Sequence, residues 1–313
     1  MKKADPYPQI YPNTQYPLTL YEQEDIGKKL KEIKRKELKI IFFGSKEFVI
    51  PVIEAISDEF DLLGIVTVPD QPVGRHYKLS PTAVKQYFLD SHIPIFDPVD
   101  LDQEFINNLS DLDPDLLVVA AYGMFLPDQL LKIPQFGVLN LHPSLLPKYR
   151  GPSPIQNAIL NGDQETGMTY MLLDQKMDHG PIIYQTRMDI LNQDNFETLG
   201  NKLFQYSATE VTNIIKEYTN GKLIAQEQNH TQATFTKLIK KEDGYFDINN
   251  PPTSEVLDRM TRAYYPWPNA WTRWNNKVVK FLPNQMVQME GKKPVSLKDF
   301  LNGYPDFPIK QLQ

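Results

Sequence analysis

Two polar residues, Asn140 and His142, stand at alternate positions in the apolar run that opens VLNLHPSLLPKYRG (138–151). In an extended strand, residues two apart project to the same face. Histidine has an unperturbed pKa near neutrality, so His142 can take or give a proton during a reaction. The Asn140 amide can donate to an oxygen that becomes negative in a tetrahedral intermediate. A carboxylate that fixed the imidazole's orientation would complete the set. Asp178, in the turn Asp178-His179-Gly180, is the candidate for that place. Residue type and spacing leave two readings open: a reactive constellation, or a packed strand pair with an aspartate bonded to its own turn.

No rival constellation competes with it. The absence of cysteine removes disulfides, thiolate zinc sites, iron–sulfur clusters and a cysteine nucleophile together. The 5 histidines, His76, His92, His142, His179 and His230, have neither H-x-x-x-H nor H-E-x-x-H spacing, so no metal centre is expected. Ser144 lacks the G-x-S-x-G elbow of serine hydrolases. Gly44 is followed by SKEFV instead of completing G-x-G-x-x-G, and no Walker lysine motif occurs. A reaction needing neither metal nor covalent nucleophile remains: direct attack on an acyl or formyl carbon.

The elements that must position these residues alternate regularly from Leu38. LKIIFF, DLLGIVTV, IPIF, DPDLLVVAAY and FGVLNLH read as strands, with helices expected over 47–56, over 81–91 (Ser80 as N-cap), and near 104–109. This alternation predicts a doubly wound α/β fold with a mostly parallel sheet, binding at the switch in strand order. A helix near 154–160, strands GMTYMLLD and PIIYQTRMDI, and a long helix over 197–219 ended by Asn220-Gly221 close the unit. Residues 69–78 form a long connection that carries Arg75 and Lys78, a charged loop suited to clamping a phosphate or to solvation alone. The expected organisation is an N-terminal extension (1–37), a catalytic domain (38–224), a polar linker (225–234) and a smaller C-terminal domain (235–313). In the last, a helix over 254–264 precedes an aromatic-rich stretch and a hairpin turned at Asn275-Asn276.

The extension combines a proline- and tyrosine-rich tract with a basic helical stretch whose Ile26, Leu30 and Ile33 share a face. At 313 residues and 41% hydrophobic content the chain can bury a sizeable core, and no apolar run approaches a bilayer span. The lack of a secretory signal and of cysteine makes the cytoplasm the expected location. A net charge of −6 means that a nucleic-acid partner would have to be held by a local basic patch. Nothing in the chain fixes an oligomeric state.

The run Asn140-Leu-His142-Pro-Ser144-Leu145-Leu146-Pro147-Lys148-Tyr149-Arg150-Gly151, followed by Gly162-Asp163-x-Glu165-Thr166-Gly167-Met-Thr169 and Asp178-x-Gly180, resembles the folate-dependent formyltransferases. IIFFGSKEF, VPDQPVGRHYKLSPTAVKQ, DPDLLVVAAYGMFLP, KLIKKEDGYFDINNP, RAYYPWPNAWT and GKKPVSLKDFLNG extend the resemblance, the last three favouring the branch that acts on tRNA. The resemblance implies a Rossmann-like catalytic domain followed by an OB-like C-terminal unit. It implies formyl transfer from 10-formyltetrahydrofolate to the α-amino group of methionine on initiator tRNA. Asn140, His142 and Asp178 match the family's triad: Asn140 and His142 stabilise the oxyanion, while Asp178 orients His142 and helps move the amine proton. Ser144, Leu145, Leu146 and Pro147 match the folate-contacting segment, and Arg75, Lys78 and Lys237 match positions that meet tRNA.

Three positions depart from the family pattern: Gln71 stands where PDRP has arginine, Pro143 follows the histidine, and Pro181 follows D-x-G. Only FLPNQMVQME separates KVVK from GKKPVSL, which predicts a shortened barrel, since strands need about five residues each plus turns. A sugar-nucleotide N-formyltransferase is the enzymatic alternative, because it shares the Asn, His and Asp pattern. A folate hydrolase has no feature in its favour, and a catalytically idle RNA-binding relative conflicts with an intact triad.

Overall fold

A computed structural model describes residues 38–73 and 78–309, so the expected extension (1–37) and Arg75 lie outside the described residues. The described chain divides into two compact units, one from 38–150, 167–187 and 202–234, the other from 151–166, 188–201 and 235–309. In order, the elements as far as the site are β1 (Lys39–Phe43), α1 (Ile50–Glu59), β2 (Asp61–Val66), β3 (Gln71–Val73), β4 (Lys78–Ser80), α2 (Ala83–Phe88), β5 (Ile95–Phe96), α3 (Gln103–Asp111), β6 (Leu116–Val119), α4 (Asp128–Leu131) and β7 (Val138–His142). Then come α5 (Pro154–Asn161), β8 (Glu165–Leu172), β9 (Ile182–Asp189), α6 (Phe196–Thr219), α7 (Ser254–Ala263), β10 (Ala270–Trp274), β11 (Lys277–Leu282), β12 (Met286–Met289), β13 (Val295–Ser296) and α8 (Leu297–Gly303).

The first unit is built on a seven-stranded sheet in the order β5-β2-β1-β6-β7-β8-β9. The strands β1, β2, β5, β6 and β7 run parallel, and β8 is antiparallel to β7. The reason IIFF and LLVV are unbroken apolar runs is that both faces of their strands are covered: Ile40 to Phe43 and Leu116 to Val118 are all fully buried. On one face, Ile41, Phe43, Leu117 and Val119 pack with Ile106 and Leu109 of α3 and Leu130 of α4. That burial on both faces fixes the register and so the position of whatever lies at the strand ends.

Several local expectations give way to stronger local chemistry. The helix expected over 47–56 opens as a 3-10 turn (Glu47–Val49) before α1. Ser80 lies in β4 and does not cap a helix; the cap of α2 is Thr82, whose side chain accepts from the Lys85 N–H. The connection expected as a plain loop contains β3 and β4, paired from Gln71↔Ser80 to Val73↔Lys78. A one-turn helix, α4, was not expected because it is too short to show a helical period.

In the second unit β10, β11, β12 and β13 form a four-stranded antiparallel sheet in sequence order. Trp274 pairs with Lys277, which leaves Asn275 (φ 47°) and Asn276 (φ 61°) as a two-residue turn with both residues left-handed. The short stretch FLPNQMVQME supplies β12, and GKKPVSL supplies β13, so the compact sheet is made without further strands among the described residues. Phe246, Phe281, Phe300 and Phe307 centre its own apolar core. In the same unit, Gly162 ends α5 in the left-handed conformation (φ 72°).

Candidate active site

The site residues are delivered by the carboxyl end of β7 and by the turn between β8 and β9. Asn140 pairs with Val119 on one side and Met171 on the other, and His142 runs two residues past the end of β6, opposite Thr169. The strand-order switch lies between β1 and β6, where Ser45 already binds the Ala121 and Tyr122 carbonyls and receives the Val68 N–H. The polar constellation therefore sits one strand away from the switch that the fold class alone would predict.

His142 is 5% exposed and its surroundings define its tautomer. Its Nε2 lies 2.9 Å from the Tyr149 carbonyl oxygen. A carbonyl only accepts, so Nε2 carries a proton and Nδ1 is the ring atom left for other work. That Nδ1 lies 3.6 Å from Asp178 Oδ2. The structure thus brings together His142 and Asp178, which are far apart in sequence. Asn140 is 9% exposed and projects from the same face of β7 as His142. An amide held at a buried strand end is a suitable oxyanion donor.

Both backbones that flank the histidine are in unusual conformations. Tyr149 (φ 60°) and Asp178 (φ 47°) are non-glycine residues in the left-handed region. Gly180 is required by contact: a Cβ there would meet the Leu172 carbonyl oxygen at 2.1 Å. The turn is further shaped by Asp174, which accepts from the Lys176 N–H and lies 2.6 Å from His179 Nδ1.

The segment Ser144 to Pro147 is folded onto Thr169. Thr169 Oγ1 donates to the Ser144 carbonyl (2.6 Å) and accepts from the Leu146 N–H and from Gln185 Nε2. Ser144 is fully buried and its hydroxyl donates to the Lys148 carbonyl, so that side chain supports the loop. Leu146 is buried as well, whereas Leu145 and Pro147 are half-buried and offer apolar surface.

Of the residues matched to tRNA, Lys78 opens β4 and Lys237 is exposed in the second unit. Arg75 lies outside the described residues. Among those described, no group of three or more His, Asp and Glu could hold a metal ion, and no helix is long and apolar enough to cross a membrane.

Sequence reasoning missed the residues that brace the site. Thr234, in the stretch read as a linker (225–234), accepts the Tyr149 and Arg150 N–H groups through its hydroxyl and carbonyl. Gln228, 5% exposed in the same stretch, accepts from Arg150 Nη2 (2.6 Å) and Nε (3.2 Å) and donates to the carbonyls of Asp178 (2.9 Å) and Gly180 (2.8 Å). Burial pushes the Arg150 guanidinium below its usual range, and the charges of Asp178 and Asp174 pull it back up. Arg150 Nη2 also donates to His230 Nδ1, and the His230 ring stacks on His179 at 4.0 Å. Burial lowers the His230 pKa, with His179 and Arg150 adding to the effect. Only the quoted Arg150 carried a sequence signal; a buried glutamine in a polar stretch carries none.

Comparison with known proteins places this geometry in a family. Residues 38–215 match the formyl transferase family model, and 238–287 match that of the formyl transferase C-terminal domain. The chain is 42% identical over 247 residues to the methionyl-tRNA formyltransferase of Chloroflexus aggregans, covering 78% of this chain and 79% of that one. Among solved structures it is similar to the methionyl-tRNA formyltransferase from Clostridium thermocellum, with a TM-score of 0.55 at 16% identity over 82% of this chain and 96% of that one. The sugar 3N-formyl transferase WlaRD, solved in the presence of dTDP and 5-N-formyl-THF, gives a TM-score of 0.55 at 18% identity, over 82% and 99% of the two chains. At such identities these structures speak for the fold alone.

Proposed function

The chain belongs to the formyl transferase family, in the branch of the methionyl-tRNA formyltransferases, and from that premise we propose that Asn140, His142 and Asp178 carry formyl transfer from 10-formyltetrahydrofolate to the α-amino group of methionyl-initiator-tRNA. The observation that carries the assignment of roles is the buried approach of His142 Nδ1 to Asp178 Oδ2 (3.6 Å), with Asn140 two residues before His142 on the same strand face.

The amine attacks the formyl carbon, forming a C–N bond as the carbonyl electrons move onto oxygen. Asn140 donates to that oxygen, an interaction stronger in the intermediate than in the ground state and worth about a hundredfold in rate or more. The His142 Nε2–H is already given to Tyr149, so the oxyanion falls chiefly to Asn140 and proton handling to the His142–Asp178 pair. The amine's surplus proton passes to that pair. Collapse of the intermediate breaks the bond to N10 of the folate, which takes a proton as it leaves, and no covalent enzyme intermediate is needed. Leu145 and Pro147, on either side of the Leu146 backbone that Thr169 and Gln185 hold, form an apolar wall suited to a flat heteroaromatic donor. Arg75, Lys78 and Lys237 are assigned to the tRNA phosphates on the sequence resemblance, and the cytoplasm is the compartment where a cysteine-free translation enzyme fits.

The test supplies formyl-labelled donor with either charged initiator tRNA or an aminated sugar nucleotide. Label is expected on the tRNA; label on the sugar with none on the tRNA overturns the acceptor. Arg75→Ala is expected to raise KM for charged tRNA about tenfold and flatten its salt dependence, with the folate KM within about twofold of the parent. Equal losses for both substrates would remove Arg75 from the tRNA surface.

A further inference from the structure

We infer that Gln228 is a positioning residue that sets the His142–Asp178 geometry from the segment 225–234. The inference rests on the roles proposed above for that pair. All four hydrogen-bonding positions of the Gln228 amide are in use. Its Nε2 donates to the carbonyls of Asp178 and Gly180, on either side of His179. Its Oε1 accepts twice from Arg150, the residue after Tyr149. Tyr149 in turn holds His142 through its carbonyl. One buried side chain therefore joins the turn that carries the acid to the loop that orients the imidazole.

The joint is needed because neither backbone is at rest by itself. Tyr149 and Asp178 are both left-handed, a conformation that is uphill for a non-glycine residue and persists only when neighbours determine it. Gln228 supplies that determination at both places at once. Its own position is fixed from either side, since Gln226 exchanges backbone hydrogen bonds with Ile182 and Thr234 binds Pro147, Tyr149 and Arg150. Any change at Gln228 should therefore reach the chemistry through the separation and angle of His142 and Asp178, leaving the surfaces that hold the substrates in place.

Gln228→Ala removes the joint; Gln228→Glu keeps its size and its acceptors for Arg150 while replacing the two donors with an oxygen that repels the Asp178 and Gly180 carbonyls. Gln228→Glu serves as the folded test should Gln228→Ala not accumulate. In the folded variants kcat is expected to fall about 10- to 100-fold, with KM for donor and charged tRNA within about threefold of the parent. On an Asp178→Asn background the same change is expected to cost less than about twofold, because a residue that acts through Asp178 has nothing left to position. Nitrogen NMR of the His142 ring provides a readout that needs no turnover. In the parent it should report the Nε2–H form with Nδ1 facing the acid, and the ring nitrogen shifts should change in Gln228→Glu. An unchanged kcat, or a loss that persists in full on the Asp178→Asn background, overturns the inference. A parent inactive on charged tRNA whose His142 signals still respond to Gln228→Glu would overturn the proposed acceptor and leave the positioning role standing.

Discussion

Asp178 and Glu210 are two partly buried carboxylates of the same unit, and they differ in their company. Asp178, with its side chain 13% exposed, faces His142 Nδ1 and feels the charge of Arg150. Glu210, on α6, sits among Tyr170, Tyr184 and Tyr206, shares a hydrogen bond with Tyr206, and has an Oε2 with no partner among the described residues. Burial alone pushes the Glu210 carboxyl up to about 7, with the Tyr206 bond opposing the rise. A perturbed acid is therefore no sufficient mark of a reactive centre. What separates the two is convergence: around Asp178, strand ends and loops bring an imidazole, an amide and a guanidinium together, whereas around Glu210 they bring phenols.

The sharpest break of this contrast is Asp178→Asn. The change keeps the shape of the side chain and removes the charge that faces Nδ1. Turnover at saturating substrate is expected to fall about a thousandfold, the scale of losing an acid–base partner, with the melting temperature nearly unchanged. A loss below about tenfold would put Asp178 in the same structural class as Glu210.

The contrast was only half visible in the sequence. Asn140, His142 and Asp178 could be singled out because a strand's two-residue period and a turn signal are local, and the parallel sheet followed from the alternation of apolar runs and helices. The 3.6 Å approach of His142 to Asp178 could not be read, because it depends on two turns meeting across the β7–β8 edge. Gln228 and Thr234 were invisible for a related reason: in a polar stretch, burial is decided by partners distant in sequence, Arg150 and the Asp178 carbonyl among them. Glu210 reads as one more charge on a long helix until β8 and β9 supply the tyrosines that enclose it.

Thr169→Val probes the other support of the site. The substitution preserves volume but removes the hydroxyl that serves Ser144, Leu146 and Gln185, and leaves the Leu146 N–H without that acceptor. A buried donor stranded in this way costs about 1–3 kcal/mol, to be read by denaturant titration. The half-buried Leu145 and Pro147 should lose their fixed placement with it, so KM for the folate donor is expected to rise several-fold more than KM for tRNA. A loss of stability without that KM change would separate the loop from donor binding.

Glu210→Gln should have the smallest effect on turnover, within about twofold, yet an opposite sign on stability. The folded-state pKa of about 7 lies above the value near 4.3 of an unfolded glutamate, so between them the folded chain holds the proton more tightly. The wild-type carboxylate therefore costs nothing below the unfolded pKa, costs progressively more as pH rises, and imposes its full penalty above about 7. Glutamine stays neutral throughout and can keep the Tyr206 bond. Its advantage over the parent should be about 2 kcal/mol at pH 8, allowing for partial exposure to solvent, and should vanish toward pH 4. Subtracting the parent's curve removes other groups that titrate in the same window, so the pH dependence of the difference belongs to this position. A variant less stable than the parent at pH 8 would mean that the Glu210 charge is supported after all, and the distinction from Asp178 would then rest on turnover alone.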